Sequence, residues 1–189
     1  AGHEVACHGL SHELVYRQTP AVFEEETRRS KAMLEDAIGA PVLGYRAASY
    51  SITQESFWAI DILCDLGFRY DSSIFPIAHD RYGIPVSPRH PYILERGGGS
   101  IVEIPGSTAA FGPINLPVGG GGYFRIFPYG WTRWGIDRLN RREGRPVGPL
   151  HGVPVGIKDI FDTCDMPTED GSVLHAGRTP AYDATAVAM

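Results

Sequence analysis

The sequence is short of cysteine, of basic residues and of long apolar runs, and each shortage argues against a class of protein. Its 189 residues contain three cysteines (Cys7, Cys64 and Cys164) and no CxxC pair, which favours free thiols in a reducing, cytoplasmic compartment over a disulfide framework. Lys and Arg number 17 against 22 Asp and Glu, which argues against a nucleic-acid partner. No apolar run is long enough for a membrane span. Because the chain begins at Ala1 instead of methionine, the question of an upstream targeting segment stays open.

Glycine and proline are abundant, and strand-like segments alternate with helix-like ones. The 23 glycines and 15 prolines, with 43% hydrophobic residues, predict one core joined by many loops. The first helix is predicted over 19–37, with Thr19 as N-cap, Pro20 in the first turn and Gly39 after the end. A second helix is predicted to follow an N-cap at Thr53. Strands are predicted at 5–7, 41–45, 68–71 and 101–104, and a third helix at 128–140. This alternation predicts an α/β fold with parallel strands.

Polar side chains follow three successive predicted strands: His8 with His12, then Arg46, then Asp71. Because the carboxyl ends of parallel strands meet at one edge of a sheet, the sequence predicts a single site there. Two imidazoles four residues apart can bind one Zn²⁺ ion. Alternatively, one imidazole satisfies buried backbone and the other faces solvent. An ion pair between Arg46 and Asp71 would satisfy both groups, whereas a solvated arginine and a turn at the aspartate are the simpler alternatives.

Three segments together carry a family resemblance. They are residues 2–13 (GHEVACHGLSHE), 44–53 (GYRAASYSIT) and 67–76 (GFRYDSSIFP). They resemble the polysaccharide deacetylases, in the NodB-like branch that is associated with bacterial exopolysaccharide loci. The likeness continues through 119–125 and from Trp131 to Arg145, so a deacetylase-like domain is predicted over 1–146.

The resemblance implies a partial, distorted (β/α) barrel that hydrolyses N-acetyl groups on a bacterial polysaccharide. His8 and His12 match two ligands of a divalent metal, expected to be Zn²⁺, which polarises the acetamide carbonyl and activates water. Arg46 matches an arginine that positions the catalytic carboxylate, and Asp71 falls in the segment that lines the same groove. The family's paired Asp-Asp motif, which supplies the remaining ligand and the base, would lie upstream of Ala1.

Two further features of the resemblance concern the groove. Tyr50 and Tyr123 are predicted to contact the sugar. Ala48 stands where many members of the family have proline, which leaves the shape of that loop open.

The composition changes from Gly148 onward, where two basic residues stand against six acidic ones. Residues 148–163 (GPLHGVPVGIKDIFDT) resemble the amidase signature family, so a short amidase-like α/β fragment is predicted over 147–189. Lys158 matches the lysine that, in that family, takes a proton through a cis-Ser–Ser pair further along the chain. Those serines would lie beyond Met189. His151 stands where a deacetylase would place its general acid, but its neighbours resemble the amidases.

Three functions follow as hypotheses. The first is a metal-dependent deacetylase acting on an N-acetylated polysaccharide. The second is a metal-independent serine hydrolase fragment that uses Lys158. The third is a catalytically inactive carbohydrate-binding module, whose aromatic residues would stack on sugar rings or simply pack in the core. These aromatic residues are Tyr123, Phe124, Trp131 and Trp134.

Overall fold

The computed structural model describes residues 4–119, 123, 126–141 and 177–182. The chain divides into two compact units, one of residues 4–154 and one of residues 1–3 with 155–189. All helices and strands described below belong to the first unit, and the described part of the second is a turn at Gly177 followed by residues 178–182. Phe124, His151 and Lys158 lie outside the described residues, so the roles assigned to them stay predictions.

Helix α1 spans Pro20–Ile38 and follows from its local sequence. The Thr19 side chain accepts a hydrogen bond from the Val22 backbone N–H at 3.3 Å. This satisfies one of the N–H groups that the first turn of a helix leaves unpaired. The helix ends at Gly39, whose φ of 65° is a left-handed conformation that glycine adopts without a Cβ clash. The predicted helix is confirmed to within one residue at each end.

Helix α2 spans Trp58–Asp65 and begins later than predicted. The prediction of Thr53 as its N-cap is wrong. The Thr53 backbone N–H donates to Ser56 Oγ at 2.9 Å, and residues 55–57 form a turn of their own. Ser56 Oγ donates in addition to the Ser51 carbonyl at 3.1 Å. Hydroxyl groups that bond nearby backbone in this way stabilise turns in competition with helix, which is why α2 starts only at Trp58.

A four-stranded sheet lies at the centre of the unit, and its strands are β1 (Gly44–Tyr45), β2 (Tyr70–Asp71), β3 (Tyr92–Arg96) and β4 (Gly99–Glu103). Their order across the sheet is β1-β2-β4-β3. The β1–β2 and β2–β4 pairs are parallel, while β3 and β4 form an antiparallel hairpin. The predicted α/β fold with parallel strands is confirmed at this level. The β2–β4 register sets Asp71 opposite Glu103.

The segment predicted as a strand at 5–7 joins the sheet through one residue. Cys7 forms a parallel bridge with Tyr45. Its N–H donates to the Gly44 carbonyl at 2.8 Å, and its carbonyl accepts from the Arg46 N–H at 2.9 Å. The Cys7 side chain is 1% exposed. The segment therefore reaches the predicted edge of the sheet, although as a bridge and not as a full strand.

The apolar core lies between the two helices and the sheet. Phe23 of α1 is buried, with its ring edge-on to Tyr45 of β1 and to Trp58 of α2 at centroid distances of 5.7 and 5.6 Å. Around it pack further buried apolar side chains, among them Val42, Ile52, Ile60, Leu63, Phe68, Ile74 and Ile101. Both parallel strand ends and the bridge at Cys7 are thus fixed against one core.

The chain continues through a second hairpin and a third helix. Strands β5 (Thr108–Phe111) and β6 (Ile114–Pro117) pair antiparallel, and helix α3 spans Tyr129–Arg141, which confirms the predicted third helix. Within the described residues, no helix combines the length and the apolar character that a membrane crossing requires.

Candidate functional site

His8 and His12 come together immediately after the bridge at Cys7. Their ring centroids are 5.0 Å apart and the rings are inclined at 75°. Two imidazoles on one tetrahedral Zn²⁺, with bonds of about 2.0–2.1 Å, place their ring centres about 5 Å apart. His12 has a φ of 58°, a left-handed conformation that costs a non-glycine residue about 1 kcal/mol or more. The backbone therefore holds His12 in a strained conformation while its ring lies beside His8.

The ring of His8 is oriented by the neighbouring strand end. Its Nδ1 lies 2.7 Å from the Arg46 carbonyl oxygen. Because a carbonyl can only accept, Nδ1 must carry the proton, which in the neutral ring makes Nε2 the nitrogen with the lone pair. A backbone carbonyl that receives one ring N–H is a frequent partner of metal-binding histidines. The geometry suits His8 as a ligand through Nε2.

The two imidazoles fit part of a metal site, but not a whole one. Among the residues that the structure describes, no group of three His, Cys, Asp or Glu side chains is placed to hold a metal ion. The donor set that this region offers is therefore two nitrogens, which suit a borderline cation such as Zn²⁺ and need a further ligand.

Arg46 binds the residue after Asp71 and not Asp71 itself. Its Nε donates to the Ser72 carbonyl at 3.1 Å and its Nη2 donates to Ser72 Oγ at 2.6 Å. The guanidinium carbon also lies 5.4 Å from the centre of the Tyr50 ring. Of the alternatives left open for Arg46 and Asp71, the ion pair is not formed, and Asp71 instead accepts the N–H of the residue two positions on, as in a turn.

Asp71 is fully buried at the end of β2. Its Oδ2 accepts the Ser73 backbone N–H at 3.2 Å, and its Oδ1 accepts the Ser73 hydroxyl. Glu103 lies directly opposite Asp71 in the register of β2 and β4. Burial raises the pKa of Asp71 above its ordinary value, against these hydrogen bonds, which lower it. In this arrangement none of the atoms of Asp71 reaches the surface.

Sequence reasoning missed Glu103, which is also fully buried. The sequence did offer one signal, which was the place of Glu103 at the end of a predicted strand. Its contact with Asp71 was not predictable, because that contact depends on a strand register across 32 residues of chain. We refer to Asp71 and Glu103 as the carboxyl pair, and Asp71 is followed directly in the chain by Ser72, the partner of Arg46.

Tyr50 and Tyr123 belong to one aromatic cluster beside Arg46. The Tyr50 ring lies 4.9 Å from Phe75, and the Tyr123 hydroxyl lies 2.8 Å from that of Tyr82. His79 stacks on Tyr82 at a centroid distance of 3.9 Å. The structure thus brings together the two tyrosines that were predicted to bind sugar and adds Tyr82 and His79, which were not predicted. Their role in binding stays a prediction.

A second group of aromatic residues lines a groove between the second hairpin and α3. The groove has a volume of about 740 Å³ and its lining includes Phe111, Phe127, Trp131 and Trp134. Trp131 and Trp134 lie 5.3 Å apart, so they pack against each other. The lining is almost wholly apolar, whereas a sugar needs partners for its hydroxyl groups.

Three family models match the chain. Residues 1–70 match the polysaccharide deacetylase family, and residues 131–189 match the amidase family. Residues 72–150 match a domain of unknown function, DUF3473.

Curated relatives match over a shorter stretch. The chain is 51% identical over 49 residues to a glutamyl-tRNA(Gln) amidotransferase subunit from Rhodopirellula baltica, which covers 26% of this chain and 10% of that protein. It is 51% identical over 47 residues to the corresponding protein of Salinispora arenicola, which covers 25% of this chain and 10% of that protein. The chain therefore spans about a tenth of the length of these relatives.

A solved structure, described as "putative polysaccharide deacetylase from Mycobacterium smegmatis", aligns with 55% of this chain and 32% of its own at 31% sequence identity. The TM-score is 0.43, so the fold described above rests on this chain's own topology. The resemblances predicted from the sequence are confirmed by the family models: residues 1–70 are related to the polysaccharide deacetylases, and residues 131–189 are related to the amidases.

Proposed function

We propose that the chain is a hydrolase of the polysaccharide deacetylase type, which removes N-acetyl groups from a bacterial polysaccharide. The observation that carries this proposal is the convergence of His8 and His12, beside Arg46, within a segment that matches the deacetylases. The reaction breaks an amide C–N bond, adds water and releases acetate. In this proposal the four-stranded sheet is part of a distorted (β/α) barrel.

Zn²⁺ is the metal that we propose for His8 and His12. Imidazole nitrogen is a preferred donor for this ion, and the hydrogen bond from His8 Nδ1 to the Arg46 carbonyl presents Nε2 as the ligating atom. The family's Asp-Asp motif would supply the further ligand and the base. When bound, such a metal supplies polarisation of the acetamide carbonyl and activation of water.

The residues around the histidines have separate proposed roles. The backbone carbonyl of Arg46 holds the His8 ring, and two bonds to Ser72 fix the direction of the Arg46 guanidinium. Tyr50 stacks against Arg46 and would contact the sugar together with Tyr123. Asp71, which precedes Ser72 in the chain and is buried, would keep Ser72 and Arg46 in position.

The test measures bound Zn²⁺ and released acetate for the full chain, with an N-acetylated chitooligosaccharide as the probe substrate. We expect about one equivalent of Zn²⁺ and measurable acetate release when the chain is extended upstream of Ala1 by the family's Asp-Asp segment, and neither for the His8→Ala/His12→Ala double variant of that extended chain. His90→Ala is the matched control, because His90 is exposed and lies away from the pair in the sequence. Zn²⁺ binding that survives in the double variant would refute the assigned ligands. Zn²⁺ binding without acetate release, but with saturable binding of the oligosaccharide, would favour the inactive carbohydrate-binding module.

The match of residues 131–189 to the amidases favours a second candidate. In that case Lys158 would serve as the base of a serine hydrolase. For the chain extended beyond Met189 to the family's serines, amide hydrolysis that resists a chelator, is stopped by a serine-directed inhibitor and is lost in Lys158→Ala would support this function. The same measurements on His8→Ala would then show no loss, which separates the two candidates.

A further inference from the structure

The carboxyl pair is the least expected feature of the molecule, because two acidic groups are buried side by side. Both residues are 0% exposed, and the parallel register of β2 and β4 makes them direct neighbours. Two ionised carboxylates in contact inside a protein repel each other and lose their hydration. The pair is compatible with a folded core only if the two groups share a proton.

The hydrogen bonds show which carboxyl group carries that proton. Asp71 accepts two bonds, both from Ser73, as an ionised acceptor does, and it faces Glu103 in the register of β2 and β4. Glu103 accepts one bond, from the Ile74 N–H to Oε1 at 3.0 Å. Its Oε2 receives no bond from any donor in the described part of the chain, as befits an oxygen that is itself protonated.

The pair is connected to the candidate site by an unbroken set of contacts. Ser73 Oγ, which donates to Asp71, accepts the Ala47 backbone N–H at 2.8 Å. Ser72 Oγ, which accepts from Arg46, donates to the Ile104 carbonyl at 2.7 Å. The ends of β1, β2 and β4 are thus bonded together around the pair, and the Arg46 carbonyl at the end of β1 holds His8.

We propose that Glu103 is a positioning residue, which shares one proton with Asp71 and thereby fixes the strand ends that place Arg46 and His8. The proposal rests on the proposed function for the meaning of the site, but its geometry requires only the folded chain. Glu103 does not touch substrate or metal in this scheme. It acts through Asp71, Ser73 and the backbone of β1.

The charges around Glu103 support a retained proton. Burial raises the pKa of Glu103 well above its ordinary value, and the Asp71 charge raises it further, whereas Arg46 lowers it. Tyr92 of β3, opposite Glu103 in the register, and Tyr45 of β1 are the other titratable groups that face the pair. Burial raises the pKa of both tyrosines, so they are neutral where Glu103 titrates.

The sign of the pH dependence follows directly. Between the ordinary pKa of Glu103 and its raised value in the fold, the folded chain binds more protons than the unfolded chain, so stability falls as pH rises. One retained proton makes the unfolding equilibrium constant rise about tenfold for each pH unit in that window. Asp71, whose pKa is also raised, adds to the same trend at the acid end.

The first test measures urea unfolding of the full chain between pH 4 and pH 9. Glu103→Gln keeps the shape, donates an N–H to Asp71 and still accepts from Ile74, but it cannot titrate. We expect the variant to fold and to lose the tenfold change per pH unit across the window. The exposed Glu95→Gln on β3 is the matched control and should keep the full slope. A Glu103→Gln chain with the slope of the unaltered protein would overturn the proposal.

The second test follows the His8 ring by ¹⁵N NMR, which reports its tautomer and hydrogen bond without any turnover. We expect Glu103→Ala to shift the His8 signals and Glu103→Gln to restore them. If Glu103→Ala does not fold, the His8 signals of the unaltered chain and of Glu103→Gln are compared at a pH below and a pH above the titration range of Glu103. The His8 signals of the unaltered chain should change between the two pH values, and those of Glu103→Gln should not. An unchanged His8 spectrum throughout would overturn the positioning role. Neither test depends on acetate release. A failure of the deacetylase proposal can therefore be told apart from a failure of the positioning role of Glu103.

Discussion

The histidine pair follows the bridge at Cys7, and the carboxyl pair lies on β2 and β4, with β1 between them. The two pairs lie in opposite environments. His8 and His12 are exposed, whereas Asp71 and Glu103 are completely buried. An exposed pair can receive a ligand from outside, and a buried one can only hold its surroundings in place. The difference teaches that residues at the edge where a site is expected need not all touch the substrate, and that burial separates the two roles.

The strongest way to break the comparison is Asp71→Ala. It removes the acceptor of the Glu103 carboxyl, of the Ser73 hydroxyl and of the Ser73 N–H. Each buried donor that loses its acceptor costs about 1–3 kcal/mol, and we expect a summed loss of about 3 kcal/mol or more in the free energy of unfolding, measured in urea. The exposed Asp36→Ala on α1 should change it by less than about 0.5 kcal/mol. Equal losses in the two variants would show that the pair is not special.

Ser73→Ala is expected to have the next largest effect. The Ser73 hydroxyl both donates to Asp71 and accepts from the Ala47 N–H, so its removal leaves a buried acceptor and a buried donor unpaired. The expected loss is about 2 kcal/mol in the free energy of unfolding, by the same denaturation measurement. Ser100→Ala, at an exposed position of β4, serves as the control. A loss no greater than that of the control would contradict the connection between the pair and β1.

Arg46→Lys should have a smaller effect, because it changes only the two bonds from the guanidinium to Ser72. A lysine cannot reproduce the two directed bonds of the guanidinium to Ser72. We expect a loss of about 1 kcal/mol in the free energy of unfolding. Arg69→Lys, at an exposed position before β2, should be neutral in the same urea titration. A neutral Arg46→Lys would mean that Ser72 is held by the Ile104 carbonyl alone.

The smallest effect concerns His12, where a substitution is expected to relieve backbone strain and not to remove a stabilising bond. His12 has a left-handed φ, so His12→Gly should be more stable than His12→Ala by about 1 kcal/mol. Both variants should lose Zn²⁺, as measured by metal analysis of the purified chains. A glycine variant no more stable than the alanine variant would show that the His12 backbone is not strained. His12 would then lower the stability of the fold slightly, whereas the carboxyl pair raises it.

Much of the fold follows from local sequence. Helix α1 depends on Thr19, Pro20 and Gly39, which act within one turn of its ends, so its bounds were predictable. The start of α2 was not, because Thr53 and Ser56 both offer hydroxyl groups and only the folded turn decides which one is used.

The candidate site was predictable where it depends on sequence order and not where it depends on register. His8, His12 and Arg46 follow strands, and the expectation that parallel strand ends meet brought them together correctly. The Asp71–Glu103 contact depends on β4 pairing with β2 while β3 pairs on the far side of β4. Nothing local in the sequence specifies that order, so the contact of Asp71 with Glu103 was not predictable, whereas the turn at Asp71 was one of the alternatives that the sequence offered.

The single bridge at Cys7 has a consequence for how the chain opens. The histidines follow a segment that is bonded to β1 by the N–H and the carbonyl of one residue, whereas β4 is bonded on both sides. Local opening takes place where few backbone bonds must break. In hydrogen exchange, the Cys7 and Arg46 amides should therefore lose protection before the amides of β4 do. On warming, the chain would lose its ligand-binding end while most of the sheet is still intact, so inactivation would precede melting.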